Sequence, residues 1–403
     1  GKQFSKLLSS QQVQAEADRV WCGVERCLFG NGKELHFKKL MDFDTIGGKS
    51  NKNGARFDLD AMYVNWLGLS LKCYLPKSEN SLSYVWESLK GKISYCNIKR
   101  LMFSSGWRYY AEIVVSGAAP TRVSIGTSTM GIDPGVSTIA GVSEDACVLE
   151  ELAPNAIQYE KKIQKISQSM DRSRRISNPN KYNEDGTINR SNRDPWKYSK
   201  NYVKMCRLLK SLYRKKHAYI VDSHRELCNK LITIAKYFPV EKMHFQALQK
   251  KAKETRRQEK KTEVKQKDGT VKVIRKYKRK KRFGRSINRR APARFLLELK
   301  RKAEAVGGVY AEVDTKEFKA SQYNHVTDAY EKIPLSQREK EIGKRKVQRD
   351  LYSAFLIRNA DLDFKHPDRE KCEYEFEYFA DMQDQLILKM KESGLSMRQC
   401  FGF

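Results

Sequence analysis

The stretch "STMGIDPGVSTIAGV", residues 128–142, decides how the rest of the chain is read. A β-branched run closes on Asp133, a Pro134-Gly135 turn follows at once, and a second apolar run occupies Val136 to Val142. That pattern predicts a strand, a tight turn and another strand. "DACVLEEL" (145–152) predicts a third strand, and Ile157, Ile163, Ile166 and Met170 keep a helical stripe through a helix from about Asn155 to Ser173. Taken alone, Asp133 also reads as a turn aspartate that accepts from nearby backbone N–H groups.

Two further acids stand in comparable settings. Glu241 follows "ITIAKYFPV" (232–240), where a long helix from about Lys200 to Ala235 runs into a short apolar stretch. Asp350 opens "VQRDLYSAFLIRNA" (347–360), whose Leu351, Ala354, Phe355 and Ile357 share one helical face. Each has a plainer reading, Glu241 as a surface charge beside Lys242 and Asp350 as a helix-start carboxylate favoured by the macrodipole. Together, two carboxylates at strand ends and one on a helix suit a metal-dependent site. Phosphodiester hydrolysis uses two divalent ions roughly 3.5–4 Å apart to stabilise the attacking and leaving oxygens. Hard oxygen ligands favour magnesium or manganese. Three strands followed by a helix begin an RNase H-like α/β order, and Asp314 in "GVYAEVDT" (308–315), expected on a buried strand, is a spare candidate ligand.

The composition points the same way. The 403 residues carry 79 Lys and Arg against 48 Asp and Glu, a net charge of +31, and 40% of residues are hydrophobic, enough for a core in two or three domains. Such an imbalance suits a polyanionic partner, with nucleic acid gaining from counterion release. No apolar run approaches the roughly 20 residues of a membrane span, and no secretory segment is visible, so a cytoplasmic protein is expected. Nine cysteines are scattered without a CxxC pair, which excludes a disulfide framework, and Cys22 and Cys27 lack the partners a zinc site needs. The chain opens on Gly1 rather than Met, with the expectation of residues ahead of it.

Ahead of Asp133 the pattern is β-rich and aromatic. "YVNWLGLSLKCYL" (63–75) partly alternates, and "ISYCNIKRLMFSSGWRYYAEIVVSG" (93–117) predicts a hairpin turning at Ser104 to Gly106, within a small barrel. Lys99, Arg100, Trp107 and Arg108 interleave charge with rings, a mixture that stacks bases and grips phosphates, although alternate rings equally fill a barrel interior. "DRSRRISNPNKYNEDGTINRSNRDPWKYS" (171–199) predicts a long loop in which Arg172, Arg174, Arg175 and Lys181 suit phosphates. Residues 249–290 hold 20 Lys and Arg against four acids, and Asp268-Gly269 between two β-compatible runs predicts a basic hairpin. Its Arg279, Lys280, Arg282, Arg285, Arg289 and Arg290 are candidate nucleic-acid contacts. "APARFLLELKRKAEAVGG" (291–308) predicts a helix from about Pro292.

Six segments in order resemble the TnpB (OrfB) RNA-guided nucleases of insertion sequences and the related compact type V CRISPR effectors. They are "SYCNIKR" (94–100), "GIDPGVSTIAGV" (131–142), "RSRRISNPNKYNEDGT" (172–187), "EKMHFQALQK" (241–250), "FGRSINRRAP" (283–292) and "QRDLYSAFL" (348–356). The resemblance implies an RNase H-like (RuvC) nuclease domain with an amino-terminal wedge-type β-barrel and a basic hairpin insertion. It implies Asp133, Glu241 and Asp350 as catalytic ligands of two magnesium or manganese ions, and guide RNA and target double-stranded DNA as partners of a monomer. The expected divisions are 1–20, a remnant of recognition-lobe helices; 21–127, the barrel; 128–360, the nuclease domain with insertions at 171–199, 249–290 and 316–347; and 361–403, a tail. The family usually sets two zinc-binding cysteine pairs before the last aspartate, whereas Thr315 to Arg349 holds no cysteine and a single His325, so zinc is not expected. Two other functions share these features: a nuclease-inactive RNA-guided repressor, and a DNA transposase with an RNase H-like core.

Overall fold

The computed structural model describes residues 9–30, 32–37, 43–184, 186–249, 257–265, 270–277, 283–334, 337–395 and 401. The chain divides into two units, one of Gly1–Arg122 with Lys162–Lys215 and the other of Val123–Lys161 with Lys216–Phe403. The boundary between the units thus falls at residue 122, and the 171–199 segment groups with the first unit.

The first unit begins with α1 (Ser10–Leu28), longer than the remnant expected over 1–20, where Ser9 and Gln12 exchange side-chain and backbone bonds in a capping box. Strand β1 (Thr45–Gly47) pairs with β5 (Ile93–Phe103), and β5 with β6 (Gly106–Val115). The second sheet is β2 (Arg56–Asp58), β3 (Tyr63–Trp66) and β4 (Leu69–Lys72), with α2 (Glu79–Leu89) following it. Ser104 and Ser105 make the two-residue turn of the β5–β6 hairpin, and Gly106 takes φ +126°, a conformation closed to other residues. Where a barrel was expected, the described residues form two separate three-stranded sheets around Phe57, Val64, Leu89 and Cys96. Strands of three or four residues offer too few ladder bonds to close the ring.

The 171–199 segment is more ordered than its composition suggests. Helix α3 (Ala156–Ser177) extends into it, Pro179–Lys181 forms a 3₁₀ turn, and Tyr182 bridges to Ile188. The Asn178 amide donates to the carbonyls of Arg174 at 2.9 Å and Lys197 at 2.8 Å, while its oxygen accepts from the Lys197 N–H at 2.7 Å.

In the second unit a six-stranded sheet runs β10 (Cys147–Glu151), β9 (Thr138–Val142), β8 (Gly131–Pro134), β11 (Ala235–Glu241), β14 (Val309–Val313), with β7 (Ser128–Thr129) also on β11. The three strands nearest the Asp133 turn are antiparallel, and β11 lies parallel to β8 and β14. Helix α4 (Lys200–Ile234) passes directly into β11. After α5 (Phe245–Gln249) comes the antiparallel pair β12 (Arg257–Lys265) and β13 (Val271–Tyr277); the Asp268-Gly269 turn lies outside the described residues. Then α6 (Gly284–Arg290) and α7 (Pro292–Ala305) lead to β14. Where a buried strand was expected, β14 pairs only with β11 among the described residues, and only Val313 of its five residues is buried.

Between β14 and the last aspartate stand α8 (Thr315–Phe318) and two short hairpins, β15 (Tyr323–Asn324) with β16 (Ala329–Tyr330), and β17 (Glu339–Ile342) with β18 (Arg345–Gln348). Helix α9 (Arg349–Arg358) follows, and the expected tail is instead α10 (Arg369–Glu392), which packs Phe376 and Phe379 against α9. Among the described residues no helix is long and apolar enough to cross a membrane.

The one-sided face expected of α9 does not describe it, since Arg349 and all of Leu351 to Arg358 are buried. It lies directly on β8 at Gly131, where an added Cβ would sit 2.2 Å from the Ala354 carbonyl oxygen and 2.3 Å from the Arg358 nitrogen. Both are helix backbone atoms that no rotamer can move. Gly131→Ala should therefore lower unfolding free energy by about 2–4 kcal/mol, the scale of overpacking with a backbone shift; urea unfolding within 0.5 kcal/mol of the parent, roughly a surface effect, would show that the helix does not sit so close.

Candidate active site

Strand pairing brings the first two acids together. Ile132 lies opposite Val240 in the parallel β8–β11 ladder, so Asp133 and Glu241, each one residue further on, project side by side. Their side chains are hydrogen bonded to one another. Asp350 arrives from α9, close enough that its charge acts on both. The three acids that the sequence placed more than a hundred residues apart thus lie near enough to act on one another's charge.

Electrostatics in this cluster are unfavourable to charge. Asp133 is held well above the usual carboxylate range, chiefly because surrounding protein denies the ionised form its hydration, then because Glu241 and Asp350 repel it; Arg349 offsets part of this. Glu241 is also raised by desolvation and by Asp350, and the bond from Asp133 works against the shift.

Asp350 differs from the other two, because guanidinium groups bracket it. Arg338 Nη1 lies 3.1 Å from one carboxylate oxygen, and Arg349 places Nη2 at 3.0 Å and Nε at 3.2 Å from the other. Arg349 also donates to the Gln337 carbonyl at 3.3 Å. Among the described residues no group of three or more His, Cys, Asp or Glu is spaced to hold a metal ion. The donor chemistry still fits one: three hard carboxylate oxygen sets, two of them sharing a proton where a divalent cation would satisfy both. Asp314 takes no part, since its side chain caps α8 by accepting from the Lys316 N–H at 2.7 Å.

The basic residues divide into those on surfaces and those committed to internal partners. In the first unit two aromatic rings of the β5–β6 hairpin carry two cations each. Trp107 is faced by Arg100 at 4.5 Å and Lys210 at 5.3 Å, and Phe103 by Arg108 at 4.5 Å and Arg214 at 3.8 Å. Lys99 pairs with Glu112 across the hairpin at 3.4 Å. A cavity of about 1190 Å³ in the same unit is rimmed by Tyr74, Tyr84, Tyr109 and Tyr110 with Lys72 and Arg108.

In the 171–199 segment, Arg174 and Arg175 both pair with Asp171, and Lys181 is buried, its Nζ donating to the Asn192 carbonyl at 2.8 Å. Arg174 and Lys181 also stand over Trp196, and Arg175 over Tyr182. These three hold the segment's own fold, while Arg172 is exposed. In the second unit Arg285 is exposed, Arg289 bonds Glu160 at 2.8 Å, and Arg290 is buried against Glu151. Arg279, Lys280 and Arg282 lie outside the described residues.

Sequence reading missed Arg338 and Arg349 at Asp350, and Lys210 and Arg214 over the hairpin rings. Arg349 was visible as the neighbour of Asp350; the other three come from distant segments and leave no local signal.

No protein-family model matches the chain, and no curated protein matches it. Two solved structures are similar. One, the cryo-EM structure of a Cas12f1–sgRNA–target DNA complex, has 13% identity and a TM-score of 0.42, covering 70% of this chain and 48% of that one. The other, the cryo-EM structure of a CRISPR-Cas12f ternary complex, has 14% identity and a TM-score of 0.31, covering 73% of this chain and 49% of that one. The chain thus spans about half the length of the solved chains it matches. At these values the likeness is loose, and the reading of the site rests on its own geometry.

A raised carboxyl stabilises the fold fully below its unfolded-chain pKa, and that contribution is lost as pH climbs through the raised folded value. Asp133→Asn removes the loss. In metal-free buffer the variant should therefore gain on the parent as pH rises from about 4 to about 8, by on the order of 1 kcal/mol. Urea unfolding at both ends of that range checks it, and a difference that stays flat with pH would contradict the assignment.

Proposed function

We propose that the chain is an RNA-guided DNA endonuclease with an RNase H-like (RuvC) catalytic unit, in which Asp133, Glu241 and Asp350 are the catalytic acids. The observation that supports the reading is that β8, β11 and α9, far apart in the chain, bring three carboxylates within range of one another's charge. The three antiparallel strands followed in the chain by a helix, the order expected to begin an RNase H-like unit, support it.

The three acids would hold two magnesium or manganese ions. Bound there, such ions activate water and neutralise charge developing on the phosphodiester. The protein's own part is positional. Adjacent parallel strands hold Asp133 and Glu241 at a fixed spacing, α9 sets the third carboxylate beside them, and the wall that raises their pKa values also keeps bulk water from competing. Guide RNA and target double-stranded DNA are the proposed partners, consistent with the net charge of +31 and with the ring-and-cation surface of the β5–β6 hairpin. In such a protein base pairing reads the sequence, and Lys and Arg read backbone shape.

The test uses the full chain purified with its RNA. Asp133→Ala, Glu241→Ala and Asp350→Ala should each lower magnesium-dependent cutting of a DNA matched to that RNA by about 10³-fold or more. RNA retention should remain near the parent level, because the cations that hold the guide lie elsewhere. Cutting that needs no RNA would favour the transposase reading, and intact RNA-guided binding without cutting by the parent would favour the repressor.

A further inference from the structure

The segment between β14 and α9 does more than connect them, because it sends one side chain into the carboxylate cluster. Arg338 precedes β17, and its guanidinium ends 3.1 Å from the Asp350 oxygen that Arg349 leaves unbonded. The two arginines are not equivalent. Arg349 keeps only 10% of its side chain exposed and is tied also to the Gln337 carbonyl. Arg338 is 35% exposed, and among the described residues its side chain has Asp350 as its one polar partner. Its backbone is fixed, since the Arg338 carbonyl accepts from the Arg349 N–H at 2.8 Å. The side chain can therefore leave Asp350 by rotation about its own bonds, with no movement of the insertion.

We propose that Arg338 is a latch on the third carboxylate: it occupies the oxygen of Asp350 that a divalent cation would need, and Asp350 joins Asp133 and Glu241 only when that guanidinium swings away. This rests on the proposed reading of the three acids as a cation site. The physical argument is one of exclusion. Two guanidinium groups already bond both oxygens of Asp350, occupying most of its acceptor positions, and a divalent ion approaching the same carboxylate meets like charge. It fits the cluster as it stands, with Asp133 and Glu241 bonded to each other and Asp350 bonded to arginine rather than to a shared centre. A guanidinium released beside a nucleic-acid site has a natural next partner, since its fork matches phosphate oxygens. Arg338 is thus a positioning residue that sets when the site can load.

The experiment is manganese binding to the full chain, read by the electron paramagnetic resonance of free Mn²⁺, without substrate and without any turnover. Arg338→Gln should tighten manganese binding by about two- to fivefold, the worth of one partly exposed ion pair. Arg338→Lys, which keeps a cation but loses the fork, should fall between the parent and Arg338→Gln, and provides the same ordering from a chain with unaltered charge. The gain should vanish when Asp350→Asn is combined with Arg338→Gln, as a coupling through Asp350 requires. Asp133→Asn serves as the control for the site itself and should abolish binding. If Asp133→Asn abolishes binding while the Arg338 variants bind no tighter than the parent, the latch is wrong and the carboxylate site stands. If Asp133→Asn binds manganese as the parent does, the cation site is elsewhere and the latch loses its premise.

Discussion

Carboxylates on neighbouring strands, walled in by protein, cannot all ionise unless a cation joins them. The second unit of this chain is arranged around that constraint. The parallel pairing of β8 with β11 sets Asp133 beside Glu241, and the antiparallel strands that follow Asp133 hold the turn that aims it. Asp133 and Glu241 are hydrogen bonded to one another, and a pair of guanidinium groups brackets Asp350.

Asp350 can take part only because α9 is fixed at both ends. At its start Gln348 caps the helix by accepting from the Leu351 N–H, and donates through its own amide to the Phe401 carbonyl; its backbone N–H reaches the side chain of the fully buried Gln383 on α10. At its end Arg358 forks onto Glu375 at 2.7 and 3.1 Å. Between them, Gly131 lets the helix backbone approach the strand that carries Asp133. The insertion ahead of α9 is tied to the same helix by ring packing. His325 is buried, its Nδ1 lies 2.8 Å from the Tyr352 hydroxyl, and its ring stands 4.7 Å from that of Phe376; burial pushes it down to about 4, so it stays neutral at physiological pH. Lys340, pushed down to about 8 by burial, donates to the Tyr323 carbonyl from within the same cluster. A segment anchored by rings, hydroxyl and amine in this way is firm enough to present Arg338 at a defined place.

What the sequence made legible follows the range of the interactions involved. The strand, turn and strand around Asp133 were readable because a β-branched run and a Pro-Gly pair act locally, and the β5–β6 hairpin because its turn needs a glycine. The three acids stood out as candidates through their settings, Asp133 and Glu241 at the ends of apolar runs and Asp350 at the start of one. Burial on every side of α9 was not, since the layers that cover it come from β8, the insertion and α10. The 171–199 segment looked like loop because Asn, Asp and Arg are loop residues by composition; Asn178 and Trp196, which organise it, act only once their partners are in place. For the same reason Arg174, Lys181 and Arg290 looked like free cations and are held by acids, carbonyls and rings. Charge is visible in a sequence, but the partner that uses it is not.

The claim on which the rest depends is that Asp133, Glu241 and Asp350 share divalent cations. A crystal of the chain soaked in manganese, with the anomalous signal mapped, measures this directly. The account predicts peaks about 2.0–2.2 Å from carboxylate oxygens of all three residues, with the side chain of Arg338 turned away from Asp350. Density that leaves Asp133 bonded to Glu241 and Asp350 clasped by both arginines, with the metal elsewhere or absent at saturating concentration, would contradict it.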